Sequence, residues 1–408
     1  MCHEYCTVNY ITLILTIAMI FGVSDFLTER VPALQRVNYV VMFVVMYVLF
    51  TIKYYYGADI LHYYNHYVWI GSVSEVWHNP DEYTFEIGYS LLCAWFNSLG
   101  ISLYGMTAII STVYFIAVGL LFRQIERYRC FALMLLVVLD YNLIFAAFRQ
   151  CIAVSFFIFM MLCLQKRKYL LSLLCAVLVV TMHKSGMFVV TLCLLAYLLH
   201  NVSVKPIVFQ ILMLILGIML LFPVSRLSVG VLGMLPTSTL NSVAHHLQLG
   251  KQVQNVWFVY AMLIVCVEYY MHFQKTRMST LAIIAIVGIV LLATGYQYYY
   301  ILNRIRSYFI PGIIVWVFQL VQRAEDAHER IPYAALLKQT CSVIAFAFCI
   351  HTTVSFTQTA KKLHAPIYNA CTLFDLYHAD QNGVREKQLQ QARMFWKYDF
   401  MKHENNTL

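Results

Sequence analysis

Residues 131–164 read FALMLLVVLDYNLIFAAFRQCIAVSFFIFMMLCL. Two apolar runs, Phe131–Phe148 and Cys151–Leu164, are separated by the pair Arg149-Gln150. Runs of roughly 17–25 apolar residues match the hydrocarbon core of a bilayer when helical. In lipid such a run has to be a helix, because a helix satisfies its own backbone hydrogen bonds. A spanning β-barrel would instead show short segments of alternating polarity, and the runs here are continuous.

The rest of the chain repeats this pattern. It has 408 residues, of which 61% are hydrophobic and 12% charged, with a mean hydropathy of +0.70. A soluble domain carries about 25% charged residues. The expected class is an all-α, polytopic transmembrane bundle of about 10–12 spans with re-entrant or interfacial helices. Spans are expected at 10–27, 37–53, 103–122, 130–148, 150–165, 169–183, 186–199, 207–222, 257–273, 279–295, 307–321 and 338–356. The segment 87–100 is apolar but short, which predicts an interfacial or re-entrant helix. The helices at 169–183 and 186–199 are short as well, and a break or a steep tilt is expected at His183-Lys184-Ser185-Gly186. The first run lacks a basic leader and a small-residue cleavage signature, so it is read as a retained helix.

The net charge of +9 is spread over short loops, which sets orientation and does not form a nucleic-acid footprint. Arg30, Arg36, Arg123, Arg127, Arg129, Lys166, Arg167, Lys168, Lys205, Lys275, Arg277, Arg323 and Arg330 fall on one side if the spans alternate, and that side is expected to be cytoplasmic. The other side receives the acidic loop 54–86, the 140–150 turn, the 183–186 turn, loop 223–256 with His245 and His246, and the 296–306 turn. The 12 cysteines lie mostly inside apolar runs, as Cys163, Cys175, Cys193 and Cys349 do. Without a CxxC or Cys/His ligand spacing they read as small buried hydrophobes. Two domains are expected: the membrane part, 1–357, and a basic tail, 358–408. The tail contains an amphipathic stretch at 384–398 that suits a membrane surface or a loosely ordered end.

Polar residues on the non-basic side are the functional candidates. Asp59 follows Tyr54-Tyr55-Tyr56-Gly57-Ala58 and precedes Tyr63, Tyr64 and His66. Aromatic faces beside a carboxylate suit a sugar, although tyrosines also gather at membrane interfaces. Glu86 opens an apolar segment, as a helix cap or as a general base. Arg149, beside Gln150, costs a few kcal/mol in lipid unless it faces a cavity or partner. It suits a phosphate or snorkels to the edge. His183 and Lys184 occupy a turn whose backbone is tolerated mainly where it lines a polar cavity. Arg304 and Arg306 follow a tyrosine cluster and suit a pyrophosphate or lipid headgroups. No Gly-rich phosphate loop is present, so neither ATP nor a sugar nucleotide is expected.

In this order the residues resemble the EpsG family of bacterial polysaccharide polymerases, whose role is Wzy-like. The matching stretches are Gly57-Ala58-Asp59 with Tyr63, Glu86-Ile87-Gly88-Tyr89, Phe148-Arg149-Gln150-Cys151-Ile152-Ala153, His183-Lys184-Ser185, and Asn303-Arg304 through Tyr308-Phe309. The resemblance covers about residues 50–320. It departs from the family at Ile60, where a threonine is usual, and it does not account for the basic tail.

The resemblance implies polymerisation of undecaprenyl-pyrophosphate-linked oligosaccharide units at the outer face of the bacterial cytoplasmic membrane. Arg149, Arg304 and Arg306, with Gln150, Lys184 and Tyr63, would bind substrate. His183 would assist as a proton donor, and Glu86 or Asp59 would act as base. No cofactor and no metal are expected. The expected partners are the lipid-linked substrate, the bilayer, a flippase and a chain-length regulator, with no nucleic acid. The alternatives are a ligase-like glycan transferase and a non-enzymatic transporter of lipid-linked sugar.

Overall fold

A computed structural model describes residues 10–55, 57, 59–201, 279–294, 299–326 and 383–394, with scattered positions between 346 and 354. The expected spans at 207–222 and 257–273, most of 338–356, loop 223–256 with His245 and His246, and residues 296–298 lie outside the described residues.

Among the described residues the chain is helical and forms no strand. The helices are α1 (Tyr10–Leu27), α2 (Pro32–Thr51), α3 (Ile60–Trp69), α4 (Val73–His78), α5 (Ile87–Ser98), α6 (Leu103–Phe122), α7 (Arg129–Ala146), α8 (Phe148–Gln165), α9 (Tyr169–Met182), α10 (Ser185–Asn201), α11 (Thr280–Thr294) and α12 (Tyr299–Asp326). Three of them, α2, α6 and α8, are long and apolar enough to cross a membrane by length and composition. At 1.5 Å per residue they span about 27–30 Å. Val37, Val40, Val44 and Val48 of α2 and Leu170, Leu173 and Leu174 of α9 are exposed. A contiguous apolar surface of this kind needs lipid or protein against it.

Helix α8 is the central column, packed against α6, α7, α9, α11 and α12. Helices α1 and α7 approach closely: a Cβ on Gly22 would sit 2.5 Å from the Met134 sulfur. Asp25 of α1 accepts from the Phe131 backbone N–H at 2.9 Å. One of the four unpaired N–H groups that open α7 is therefore satisfied from a neighbouring helix.

Side-chain contacts fix which loops share an end. The Tyr128 hydroxyl donates to Glu29 at 2.5 Å, Gln124 donates to Gln165 at 2.8 Å, and the Gln322 amide donates to the Arg127 carbonyl at 3.2 Å. These bonds gather the α1–α2, α6–α7 and α8–α9 loops with the last turns of α12. They carry Arg30, Arg123, Arg127, Lys166, Arg167 and Lys168. At the opposite end the Tyr104 hydroxyl donates to the Thr51 carbonyl at 3.4 Å, joining the start of α6 to the finish of α2.

Helix α5 starts and finishes at that second end. Its 12 residues cover about 18 Å, too short to cross. Near its far end the Asn97 amide donates to the Tyr67 carbonyl at 3.2 Å, and the Tyr67 hydroxyl donates to the Ile101 carbonyl just ahead of α6. In being too short to cross, α5 fits the expected interfacial or re-entrant helix over 87–100. Helices α9 and α10 form a short hairpin: the Tyr169 and Tyr197 hydroxyls meet at 3.3 Å, and the break falls at His183-Lys184, as the sequence predicts. Residues 383–394 are helical. Arg385 lies 5.7 Å from the centre of the Tyr64 ring, which places this tail helix at the α3 end of the bundle.

Candidate active site

Five backbone interruptions bring the site together at the end of the bundle away from the basic loops. They are the 52–59 segment, Glu86, the single residue Ala147 between α7 and α8, the 183–184 turn, and the start of α12. Two glycines make this convergence possible. Gly57 has φ +99°, a conformation open to glycine at little cost, and a Cβ there would lie 3.0 Å from that of Ala146. The loop bearing Asp59 therefore presses directly on the end of α7. A Cβ on Gly88 would lie 2.7 Å from Thr181 side-chain atoms and 2.8 Å from its carbonyl carbon, so α5 seats against the last turn of α9.

That seating positions Glu86. Its side chain makes no capping bond to α5. One carboxylate oxygen, Oε2, pairs with Arg149 Nη1 at 2.6 Å, and Oε1 accepts the Lys184 backbone N–H at 3.0 Å. Arg149 stands in the first turn of α8, where the helix dipole already favours an anion. Its guanidinium lies 3.9 Å from the centre of the Phe85 ring and 5.9 Å from that of Tyr63, within cation–π range. Burial alone would raise the Glu86 carboxyl. The Arg149 charge and the Lys184 N–H act against it and hold it below the ordinary value, so Glu86 is a carboxylate.

Asp59 has the opposite environment. Burial raises its carboxyl above the ordinary value, and the neighbouring Arg304, His62 and Arg149 only partly offset this. His183 is buried, and burial pushes its imidazole down to about 4. Arg149, Arg304 and Lys184 push the same way, while Glu86 opposes them. Its Nδ1 lies 2.7 Å from the Ser185 hydroxyl and accepts the Ser185 N–H at 3.3 Å. Ser185 in turn hydrogen-bonds the Tyr308 hydroxyl at 3.2 Å. At neutral pH the ring is uncharged, so its N–H donates a hydrogen bond and does not give up a proton.

Asp59, Tyr63, Glu86, Arg149, His183, Lys184 and Arg304 thus form one cluster, with Arg304 and Lys184 exposed and Tyr63 buried in its wall. Arg306 and Gln150 do not face it. Residues two apart on a helix point in nearly opposite directions, so Arg306 turns away from Arg304 and donates to the Leu139 carbonyl at 3.1 Å. The Gln150 amide donates to the Arg304 carbonyl, tying α8 to α12.

Phe85, Ser185 as a partner of His183, and Asp140 are not among the candidates that the sequence singles out. Asp140 has φ −132° and ψ 22° inside α7, is buried, and accepts from the Ser307 hydroxyl at 2.6 Å. An aspartate within an apolar run is itself a signal of a polar partner. Phe85 carries no such signal.

The arrangement offers two guanidiniums for a multiply charged anion, a carboxylate held reluctantly ionised, and a neutral imidazole. Among the described residues no three His, Cys, Asp or Glu side chains come together as metal ligands would. The family model described as EpsG matches residues 36–363. That range includes every residue of the cluster and stops short of the 383–394 helix. No curated protein and no solved structure matches the chain.

Proposed function

This chain belongs to the EpsG family, and on that premise we propose that it is a polysaccharide polymerase, a multi-pass protein of the bacterial cytoplasmic membrane. It joins oligosaccharide repeat units carried on undecaprenyl pyrophosphate. The basic end of the bundle faces the cytoplasm by the positive-inside rule, so the cluster opens outward. The observation that carries the reading is the Arg149–Glu86 pair with Arg304, Asp59 and His183 at one mouth of an apolar bundle.

In the reaction, a hydroxyl of the acceptor saccharide attacks the anomeric carbon of the donor. A carbon–oxygen bond forms there, the bond from that carbon to the pyrophosphate oxygen breaks, and the lipid pyrophosphate leaves with the electron pair. Arg149 and Arg304 meet the charge that develops on it. The hydroxyl proton goes to Asp59, whose raised carboxyl is better matched to neutral pH than that of Glu86. Glu86 holds Arg149 in place until the substrate arrives. His183, with Nδ1 engaged by Ser185, offers Nε2–H to a phosphate oxygen.

The test is to incubate the purified chain with its lipid-linked repeat unit. A ladder of oligomers is expected. In cells, loss of a polymerase leaves single repeat units, whereas loss of a ligase leaves long lipid-linked chains. The second pattern on deletion would overturn the proposal.

A further inference from the structure

Beside the cluster lies an open cleft of about 510 Å³ between α3 and the loop that leads to Glu86. Its walls include His62, Asn65, Trp69, Glu82, Tyr83 and Thr84. Its volume is within the range of small-molecule sites. We infer that this cleft is the acceptor-saccharide subsite, a conclusion that rests on the polymerase reading above.

The lining matches the chemistry of a saccharide. The indole of Trp69, 83% exposed, and the ring of Tyr83 offer flat apolar faces to the C–H faces of a sugar. Asn65, Thr84, His62 and Glu82 supply both donors and acceptors for hydroxyls. Glu82 in the wall disfavours a phosphate, so the cleft selects the neutral part of the substrate and leaves the anion to Arg149 and Arg304. Phe85 separates the two rooms: one ring contact is with the Arg149 guanidinium at 3.9 Å and another is with His66 at 4.5 Å.

The cleft lies close to the proposed base, since His62 of its wall is an electrostatic neighbour of the Asp59 carboxyl. Asp59 immediately precedes α3, and its carbonyl accepts the His62 backbone N–H at 3.1 Å. His62 is thus one turn along the helix from Asp59. A saccharide in the cleft therefore lies beside the segment that carries Asp59, and on the polymerase reading it is assigned as the acceptor, not the donor. An exposed tryptophan can also anchor a protein at the lipid interface. Trp95, 52% exposed on α5, is no part of the cleft and serves as the control for that role.

The experiment uses the full chain in nanodiscs and, as probe, the lipid-free oligosaccharide released by mild acid from the cell's own lipid-linked repeat unit. For Trp69→Ala the acceptor KM is expected to rise at least tenfold (about 1.4 kcal/mol), with kcat and the donor KM unchanged. Trp69→Phe should recover most of the loss, and Trp95→Ala should behave as wild type. Saturable quenching of tryptophan fluorescence by the probe should disappear in Trp69→Ala. If Trp69→Ala binds and uses the acceptor normally while Arg149→Ala is inactive, the subsite is overturned and the polymerase reading stands. If Trp69→Ala and Trp95→Ala fail alike, together with membrane association, Trp69 is an anchor and the inference is overturned. If wild type makes no oligomer yet binds the probe through Trp69, the polymerase reading falls and the saccharide cleft survives.

Discussion

Glu86 opens helix α5 but bonds across the bundle to Arg149, at 2.6 Å, instead of to the N–H groups of its own helix. The pair is mostly buried: the two side chains are 20% and 9% exposed for Arg149 and Glu86. Removing one partner of such a pair leaves the other short of a counter-charge. Arg149→Ala is expected to abolish polymer. Arg149→Lys keeps the charge but loses the planar fork and its stacking on Phe85, so kcat should fall ~100-fold, the scale of losing one oxyanion-type donor. Oligomer ladders from purified variants, compared at equal membrane insertion, check both outcomes.

Asp59→Asn should separate activity from stability. The folded state raises the Asp59 carboxyl above the ordinary 3.8, so folding favours its protonated form. The stability it contributes is complete below pH 3.8 and is lost as pH rises through the higher folded value. At pH 7 the ionised group is therefore a liability. The uncharged amide of the variant should leave thermal stability equal or improved while polymer formation disappears. A clear loss of Tm at pH 7 would contradict this.

For His183 the sign is reversed. Its imidazole falls from 6.5 to about 4 on folding, so the unfolded chain binds more protons between those values. Stability conferred by the neutral ring is present above pH 6.5 and is lost as pH drops toward 4. His183→Gln should flatten the fall in Tm across that window, measured in detergent at fixed ionic strength. Its activity loss should be smaller than that of Arg149→Ala, because Gln retains a donor.

Arg304 and Arg306 should give opposite phenotypes. Arg304→Ala is expected to lose polymer, since its side chain is exposed at the site. Arg306→Ala removes a bond to Leu139 beside the irregular backbone at Asp140. A part-buried charged donor of this kind is worth ~1–3 kcal/mol, which should appear as a lower Tm with residual activity. Paired thermal-shift and ladder assays distinguish them.

Gly88→Ala forces a methyl group to 2.7–2.8 Å from Thr181. Overpacking typically costs about 1–3 kcal/mol, and here it would push α5 off α9 and pull Glu86 from the Lys184 N–H. Both Tm and activity should fall, and Thr181→Gly in the same chain should restore part of each.

Much of this was legible in the sequence. The apolar runs give the helices because lipid leaves the backbone no other option, and α1, α6, α9 and α11 match their expected spans to within a residue or so at each end. The candidates Asp59, Glu86, Arg149, His183, Lys184 and Arg304 do converge, since each stands where an apolar run is interrupted at the same end. Rotation about a helix axis was harder to read. Whether Arg304 or Arg306 faced the site depends on which side of α12 meets α7, and no local pattern encodes that. Phe85 was invisible for a related reason: its role lies in what stacks on it. Asp140 was a legible omission, a carboxylate alone in an apolar helix, as is Asp25 in α1.

Helix α5 begins and ends at the same end of the bundle, so on the polymerase reading Glu86 and its neighbours work near the membrane surface. An isoprenoid-tethered donor would reach them by drifting within the plane of the leaflet. Its rate of capture then depends on copies per unit area, and diluting the suspension at constant lipid composition should leave turnover unchanged.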